Sequence, residues 1–137
     1  MLRGDELGII LGEWIARAHP KGPFGNSIVS SSALRKICAH YRINFQEVLT
    51  GFKWLAKIED LAFGYEEAIG YCVDSKTVND KDGVSAAIFL AQIASDLAKS
   101  GLTLTDLLNE VWGRHGFHGT EQISIRVADM SSIARLL

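Results

Sequence analysis

The sequence predicts an α/β fold, namely a layered domain with a mixed, mostly parallel sheet of about four strands flanked by helices. Short apolar runs alternate along the chain with segments whose apolar residues recur at helical spacing, and this order is typical of parallel sheets. The length of 137 residues suits one domain. Because ligands of such sheets gather beyond the carboxyl ends of the strands, residues that follow the predicted strands are the first candidates for a site.

The chain opens with a predicted helix over residues 5–18, whose apolar residues form one stripe. Asp5 can cap its first turn. Gly8 and Gly12 share one face, where the missing side chains permit close approach to a sheet. The segment 19–23 contains both prolines of the chain, and we expect it to end the helix.

Two strand-helix units follow. The predicted elements are a strand over 26–30, a helix through 34–41, a strand over 44–49 and a short helix through 52–58. Ser31 or Ser32 can cap the first of these helices. Thr50 and Gly51 lie at a strand end, so they become candidate site residues.

Two adjacent carboxylates, Glu66 and Glu67, lie between the next apolar runs. The runs 61–63 and 69–73 predict two strands joined by a polar loop. Neighbouring acids repel each other and do not favour a sheet, so we expect the pair at a loop tip to meet solvent or a ligand. The two acceptor oxygens of a carboxylate suit two neighbouring sugar hydroxyls. A solvated acidic turn is the alternative interpretation.

Lys81 stands at the start of a long predicted helix over 82–99. Backbone N–H groups at a helix start favour an anion, so a cation here together with hydroxyl acceptors nearby suggests a phosphosugar. A plain helix cap is the alternative. The helix is apolar nearly all round, and we expect it to be buried on more than one side.

The last third of the chain carries a capping signal and an alternating pattern. Thr103 and Asp106 resemble a capping box for a further helix. Residues 123–127 alternate strictly between apolar and polar, which predicts a half-buried strand, and a short helix is expected from Met130.

Composition excludes several function classes. A net charge of −2 and a pI near 6.1 disfavour nucleic acid and anionic membranes as partners. The sequence shows neither a secretion signal nor an apolar run of the roughly 18 residues that a bilayer span needs. Cys38, Cys72 and the histidines lack metal-ligand spacing, so no metal site is expected. We expect a cytoplasmic protein.

Three motifs stand in one order along the chain: Thr-Gly-Phe-Lys-Trp at 50–54, Gly-Tyr-Glu-Glu-Ala-Ile-Gly at 64–70 and Asp-Lys-Asp-Gly at 80–83. With them the chain resembles the third domain of the α-D-phosphohexomutases, which include phosphoglucomutases, phosphomannomutases and phosphopentomutase-like enzymes. The resemblance covers residues 1–115. It implies that a first strand of the family fold is missing before Met1, and that 116–137 is a connector to an absent fourth domain.

The resemblance implies a magnesium-dependent enzyme that moves a phosphoryl group between two positions of a sugar, through a phosphoserine and a bisphosphorylated intermediate. It implies that Glu66 accepts sugar hydroxyls, with Glu67 as a further candidate. Thr50 and Gly51 would form a neighbouring wall, and Lys81 would be the basic residue near the substrate. Ala68 stands where the family often has serine, so the form of this loop is closer to the phosphopentomutase-like, broad-specificity branch.

Other family motifs do not occur in the chain: the Ser-His-Asn-Pro phosphoserine loop, the Asp-x-Asp-x-Asp metal loop and the Arg-x-Ser-Gly-Thr phosphate loop. We therefore predict no catalytic residue here, Mg²⁺ bound outside this fragment, and a fragment that is inactive alone. The remaining domains of the enzyme and a phosphorylated sugar are the expected partners. The alternative is a non-catalytic protein-interaction module that uses an exposed strand edge.

Overall fold

The computed structural model describes residues 1–124 and 126. These residues form α1 (Gly4–Arg17), β1 (Phe24–Ser27), α2 (Ala33–Tyr41), β2 (Phe45–Val48), α3 (Phe52–Leu55), β3 (Phe63–Glu66), β4 (Gly70–Cys72), α4 (Gly83–Ala98) and α5 (Leu104–His115). The predicted alternation of helices and strands is confirmed. The predicted bounds shift by a few residues at several elements.

The described strands form one sheet in the order β2-β1-β3-β4. β1 runs parallel to β2 and to β3, whereas β4 is antiparallel to β3. This arrangement confirms the predicted mixed, mostly parallel sheet of four strands. Because β1, β2 and β3 are parallel, their carboxyl ends lie at one edge of the sheet, which brings the segments after Ser27, Val48 and Glu66 close together.

The two faces of the sheet bury cores of different size. Phe63 and Tyr65 of β3 point into the larger core, formed with α1, α2, α4 and α5. Gly64, between them, meets Leu55 and Leu61 of the smaller core on the α3 side. The alternation follows from the period of two along a strand, so Glu66 also faces the α3 side.

The glycines of α1 permit the close approach that the sequence predicts. A Cβ at Gly8 would lie 2.4 Å from the Tyr65 ring, and one at Gly12 would lie 2.6 Å from Leu34. The prediction that Asp5 caps the helix is wrong, because Arg3 occupies the N-cap position. Asp5 lies inside the first turn, and its buried carboxylate accepts hydrogen bonds from other segments.

A buried carboxylate ties α1, α2 and α5 together. Glu13 Oε1 accepts hydrogen bonds from Tyr41 Oη at 2.8 Å, Arg17 Nε at 3.0 Å and Arg114 Nη1 at 2.7 Å. Burial alone would raise the pKa of Glu13, but these donors outweigh it and the pKa is lowered. Glu110 pairs with both arginines at the outer side, so the cluster closes on itself.

The strand predicted over 26–30 ends earlier than expected. β1 covers Phe24–Ser27, and the next two residues, Ile28 and Val29, are 53% and 49% exposed. Their apolar side chains suggested a buried strand, but they follow the point where pairing stops. They lie in the turn that leads to α2.

The prediction that α4 is buried on more than one side is wrong. Val84 and Ile88 are 74% and 67% exposed, and the helix packs against β4 and α5 through residues such as Ile93 and Leu97. A helix at the end of a sheet has few neighbours, so its outer apolar residues have nothing to pack on among the described residues.

The predicted strand over 123–127 is not formed at its described positions, because residues 123, 124 and 126 have irregular backbone. Residues 125 and 127, and the helix expected from Met130, lie outside the described residues.

Both cysteines are buried thiols. Of the helices in the described part of the chain, none combines the length and the apolar character that a membrane crossing requires.

Candidate functional site

The sequence-predicted site residues converge at the carboxyl edge of the sheet. Thr50 and Gly51 follow β2, and Glu66 is the last residue of β3. Lys81 reaches the same place from the segment before α4. The position agrees with the rule that ligands of parallel sheets gather beyond the strand ends.

Glu66 is a strand residue rather than the loop-tip residue that the sequence predicted. It is only 3% exposed, and both carboxylate oxygens are engaged. Oε1 accepts a hydrogen bond from the Gly51 backbone N–H at 2.5 Å, and Oε2 lies 3.0 Å from Lys81 Nζ. The donor and the cation offset the cost of burying a charge, which explains why an acid can end a strand here.

Lys81 closes this group from the solvent side. Its side chain is 43% exposed, and its Nζ lies 5.9 Å from the centre of the Phe52 ring. The loop around it is anchored, because the Asp82 N–H donates to the Tyr71 carbonyl at 2.8 Å and the Asp82 side chain caps α4. The amine is therefore held beside Glu66 and still reaches water.

Gly51 gives the hydrogen bond from an unusual backbone conformation. Its φ is +114°, in the region that favours glycine, and its N–H points at the carboxylate. Thr50 before it is exposed. Gly51 contacts Glu66 directly, and the role of Thr50 and Gly51 in forming a wall of a sugar site stays a prediction.

Glu67 points to the other side of the sheet and does not act as a pair with Glu66. Its Oε2 accepts hydrogen bonds from Ser27 Oγ and Ser30 Oγ, both at 3.2 Å, and its own N–H donates to Ser30 Oγ at 3.1 Å. Consecutive residues at a strand end diverge because side chains alternate. Glu67 thus fastens the loop 67–69 to the segment after β1.

A cleft of about 750 Å³ opens beside Glu67, Ala68 and Ile69, with residues 120–123 on its far side. Ala68 and Ile69 are exposed at its rim, so a ligand could reach the loop from this side. Another cleft, of about 660 Å³, lies at the opposite edge of the sheet near Lys21 and Asp60. That cleft contains none of the predicted site residues.

Sequence reasoning missed the role of Asp5. Its Oδ1 accepts from the Ser31 N–H at 2.7 Å and from Tyr65 Oη at 2.9 Å, and its Oδ2 accepts from Thr120 Oγ1. Burial, followed by the Asp5 charge, raises the pKa of Tyr65 well above its ordinary value. No local sequence pattern predicts these hydrogen-bond partners, because they are separated from Asp5 by 26, 60 and 115 positions in the chain.

Among the described residues, no group of three or more histidine, cysteine or acidic side chains could hold a metal ion. Glu66 in particular is engaged by a lysine and a backbone donor rather than by further carboxylates. The residues at this edge therefore offer hydrogen-bonding groups to a polar ligand.

The fold and these residues define a layered α/β domain with a candidate polar site at the carboxyl edge of its sheet. Residues 3–115 match the family described as phosphoglucomutase/phosphomannomutase, alpha/beta/alpha domain III. The chain belongs to this phosphohexomutase family and represents its domain III.

Similar proteins agree with this assignment. The chain is 43% identical to a protein of Haemophilus influenzae named probable phosphomannomutase, over 99% of the chain and 28% of that protein. It is 36% identical to the phosphopentomutase of Mus musculus, over 97% of the chain and 24% of that protein. The chain thus spans about a quarter of the length of these relatives.

A solved structure confirms the fold. A Thermus thermophilus protein described as a phosphomannomutase superimposes with a TM-score of 0.74 at 19% identity, over 84% of this chain and 26% of the other. At that identity the likeness concerns the fold alone.

Proposed function

We propose that this chain is the sugar-recognition domain of an enzyme that interconverts a sugar 1-phosphate and 6-phosphate, or the pentose equivalents. The observation that carries the proposal is the convergence of Glu66, Gly51 and Lys81 at the carboxyl edge of the sheet. Each carboxylate oxygen can accept about two hydrogen bonds, so Glu66, with one partner on each oxygen, keeps acceptor capacity for sugar hydroxyls. The relatives named phosphomannomutase and phosphopentomutase support this substrate class.

In this proposal the chain binds and orients the sugar, and the chemistry belongs to other parts of a longer protein. A phosphoserine there transfers the phosphoryl group, and Mg²⁺ bound there supplies charge stabilisation. The bisphosphorylated intermediate turns round between two transfers, and Glu66 reads equivalent hydroxyls in both orientations. The chain alone would be inactive, and the cytoplasm is the proposed compartment.

Glu67 and Lys81 have narrower roles than Glu66. Glu67 keeps the loop 67–69 in place through Ser27, at the end of β1, and Ser30, so it shapes the sugar site from the opposite face of the sheet. Lys81 adds positive charge at the solvent side, where a phosphate could approach. Ala68 is exposed in the loop that follows Glu66 and carries no hydroxyl, which fits tolerance of several sugars.

The outer face of α4 supports contact with further domains of the same protein. Val84 and Ile88 are largely exposed, and apolar side chains grouped on one helix face favour a protein neighbour. The same face is the observation that favours the alternative function, a non-catalytic interaction module. In that module the exposed edge of β2, Phe45–Val48, would pair with a partner strand.

The proposal is tested with Glu66→Gln in the longer enzyme that contains this chain. We expect kcat/KM for hexose or pentose phosphates to fall about 10- to 100-fold, because a hydrogen bond to a charged group contributes roughly 1.5–3 kcal/mol. Glu59→Gln is the matched control, since Glu59 is exposed and lies at the opposite edge. Unchanged kcat/KM in Glu66→Gln would reject the sugar-binding role and leave the interaction module as the better account.

A further inference from the structure

We propose that Gly70 is a positioning residue of this site: because it has no side chain, Lys81 can lie across it and hold the Glu66 carboxylate in place. The contact geometry stands by itself, whereas its consequence for sugar binding rests on the proposed function.

The geometry shows why the position is sensitive. Gly70 is the cross-strand partner of Glu66 in the β3–β4 pair, so the two residues face the same side of the sheet. A Cβ at Gly70 would lie 2.6 Å from Lys81 Cε, 2.9 Å from Cδ and 3.1 Å from Nζ. The aliphatic stem of Lys81 therefore occupies the space that any side chain at position 70 would fill.

The backbone does not need glycine at this position. The glycines of the described chain with positive φ are Gly22, Gly51, Gly101 and Gly116, and Gly70 is not among them. Its neighbour Ile69 takes the positive φ of this turn, at 57°. What the structure uses at position 70 is the absence of Cβ, so the lysine contact explains the glycine where turn conformation does not.

The same contact determines what a substitution does. The atoms nearest to the added Cβ belong to the flexible end of a long side chain and not to backbone. Gly70→Ala should therefore leave the fold intact and move Lys81 away from Glu66. The carboxylate, almost fully buried, would then lose its cation and shift toward water, which weakens its bond to the Gly51 N–H.

The full 137-residue chain allows a test without any ligand, through amide hydrogen exchange of Gly51 followed by NMR. We expect exchange at Gly51 to accelerate about tenfold in Gly70→Ala and in Lys81→Met, a factor that corresponds to one weakened charge-assisted hydrogen bond. The double variant should be no faster than either single variant, because both remove one interaction.

Gly83→Ala and Lys76→Met are the matched controls. A Cβ at Gly83 would have nothing within 4 Å, and Lys76 is an exposed lysine at the opposite edge of the sheet. Both controls should leave Gly51 exchange unchanged. Unchanged exchange in Gly70→Ala, with the spectrum otherwise folded, overturns the positioning role. Faster exchange in Lys81→Met with no effect of Gly70→Ala overturns it as well.

Titration of the longer enzyme with glucose 1-phosphate separates this inference from the proposed function. If both are correct, Gly70→Ala and Lys81→Met weaken binding by the same factor of about ten, and the double variant adds no further loss. A second outcome is that the longer enzyme without substitutions binds no glucose 1-phosphate while Gly51 exchange is still faster in both Gly70→Ala and Lys81→Met. That result rejects the proposed function and supports the positioning role.

Discussion

Glu13 and Glu66 are both buried carboxylates with cationic partners, yet their surroundings differ. Glu13 is fully buried, and its donors come from three helices, with Glu110 closing the outer side. Glu66 accepts from one loop amide and from Lys81, which is 43% exposed. The first cluster is closed and serves the fold, whereas the second borders water, where a ligand can compete for the same groups.

The largest difference between the Glu13 and Glu66 clusters is expected in how much each contributes to the free energy of unfolding. Glu13→Ala should lower the free energy of unfolding by about 2–4 kcal/mol, because three donors lose their buried acceptor and a cavity remains, although Glu110 still pairs with both arginines. Chemical denaturation followed by circular dichroism measures this. Glu59→Ala, at an exposed acid, should change stability by no more than about 0.5 kcal/mol. A loss below about 1 kcal/mol in Glu13→Ala would show that the closed cluster is not what holds the helices.

Lowering the pH should remove a part of the stability that Glu13 contributes, because its carboxylate becomes protonated. The folded pKa of Glu13 is lowered from its ordinary 4.5, so its contribution is complete above that value and is lost as pH falls through the folded pKa. The difference in unfolding free energy between the unaltered chain and Glu13→Gln should therefore shrink on acidification from pH 7 to about pH 3. A difference that stays constant over this range would contradict the assignment.

The smallest effect is expected at the open cluster. Lys81→Met should lower the free energy of unfolding by about 1–2 kcal/mol, less than Glu13→Ala, because the lysine is nearly half exposed and the Glu66 carboxylate can shift toward water. The same denaturation experiment measures it, with Lys76→Met as the surface control. A loss as large as that of Glu13→Ala would remove the contrast between the two clusters and make Lys81 mainly a folding residue.

Local patterns were sufficient for most of the fold. The α1 stripe, the strand-helix units and the capping box of Thr103 and Asp106 all depend on residues within a few positions of one another. The close approach at Gly8 was predictable for the same reason, since only a missing side chain on a packed face suits a tyrosine ring at that distance.

The side-chain environment of the site was less predictable. Glu66 looked like a loop residue because two adjacent acids disfavour a strand, and the lysine that makes its burial tolerable comes 15 positions later. The three-helix cluster around Glu13 was missed because Arg114 lies 101 positions away from it. The apolar face of α4 suggested burial, but the neighbours of an edge helix depend on the whole arrangement. All three features depend on contacts between residues far apart in the sequence, and the local spacing of apolar residues does not reveal such contacts.

The hydrogen bonds of Asp5 and Ser31 bear on where this unit can be cut. The family match ends at residue 115, but Thr120 donates to Asp5 and the His118 carbonyl accepts from Ser31 Oγ at 2.7 Å. Shortening the polypeptide to residue 115 would remove the Thr120 donor from the buried Asp5 carboxylate and expose the first turn of α1 to water. For recombinant work the physical unit therefore reaches at least Thr120, five residues past the point where the family match stops.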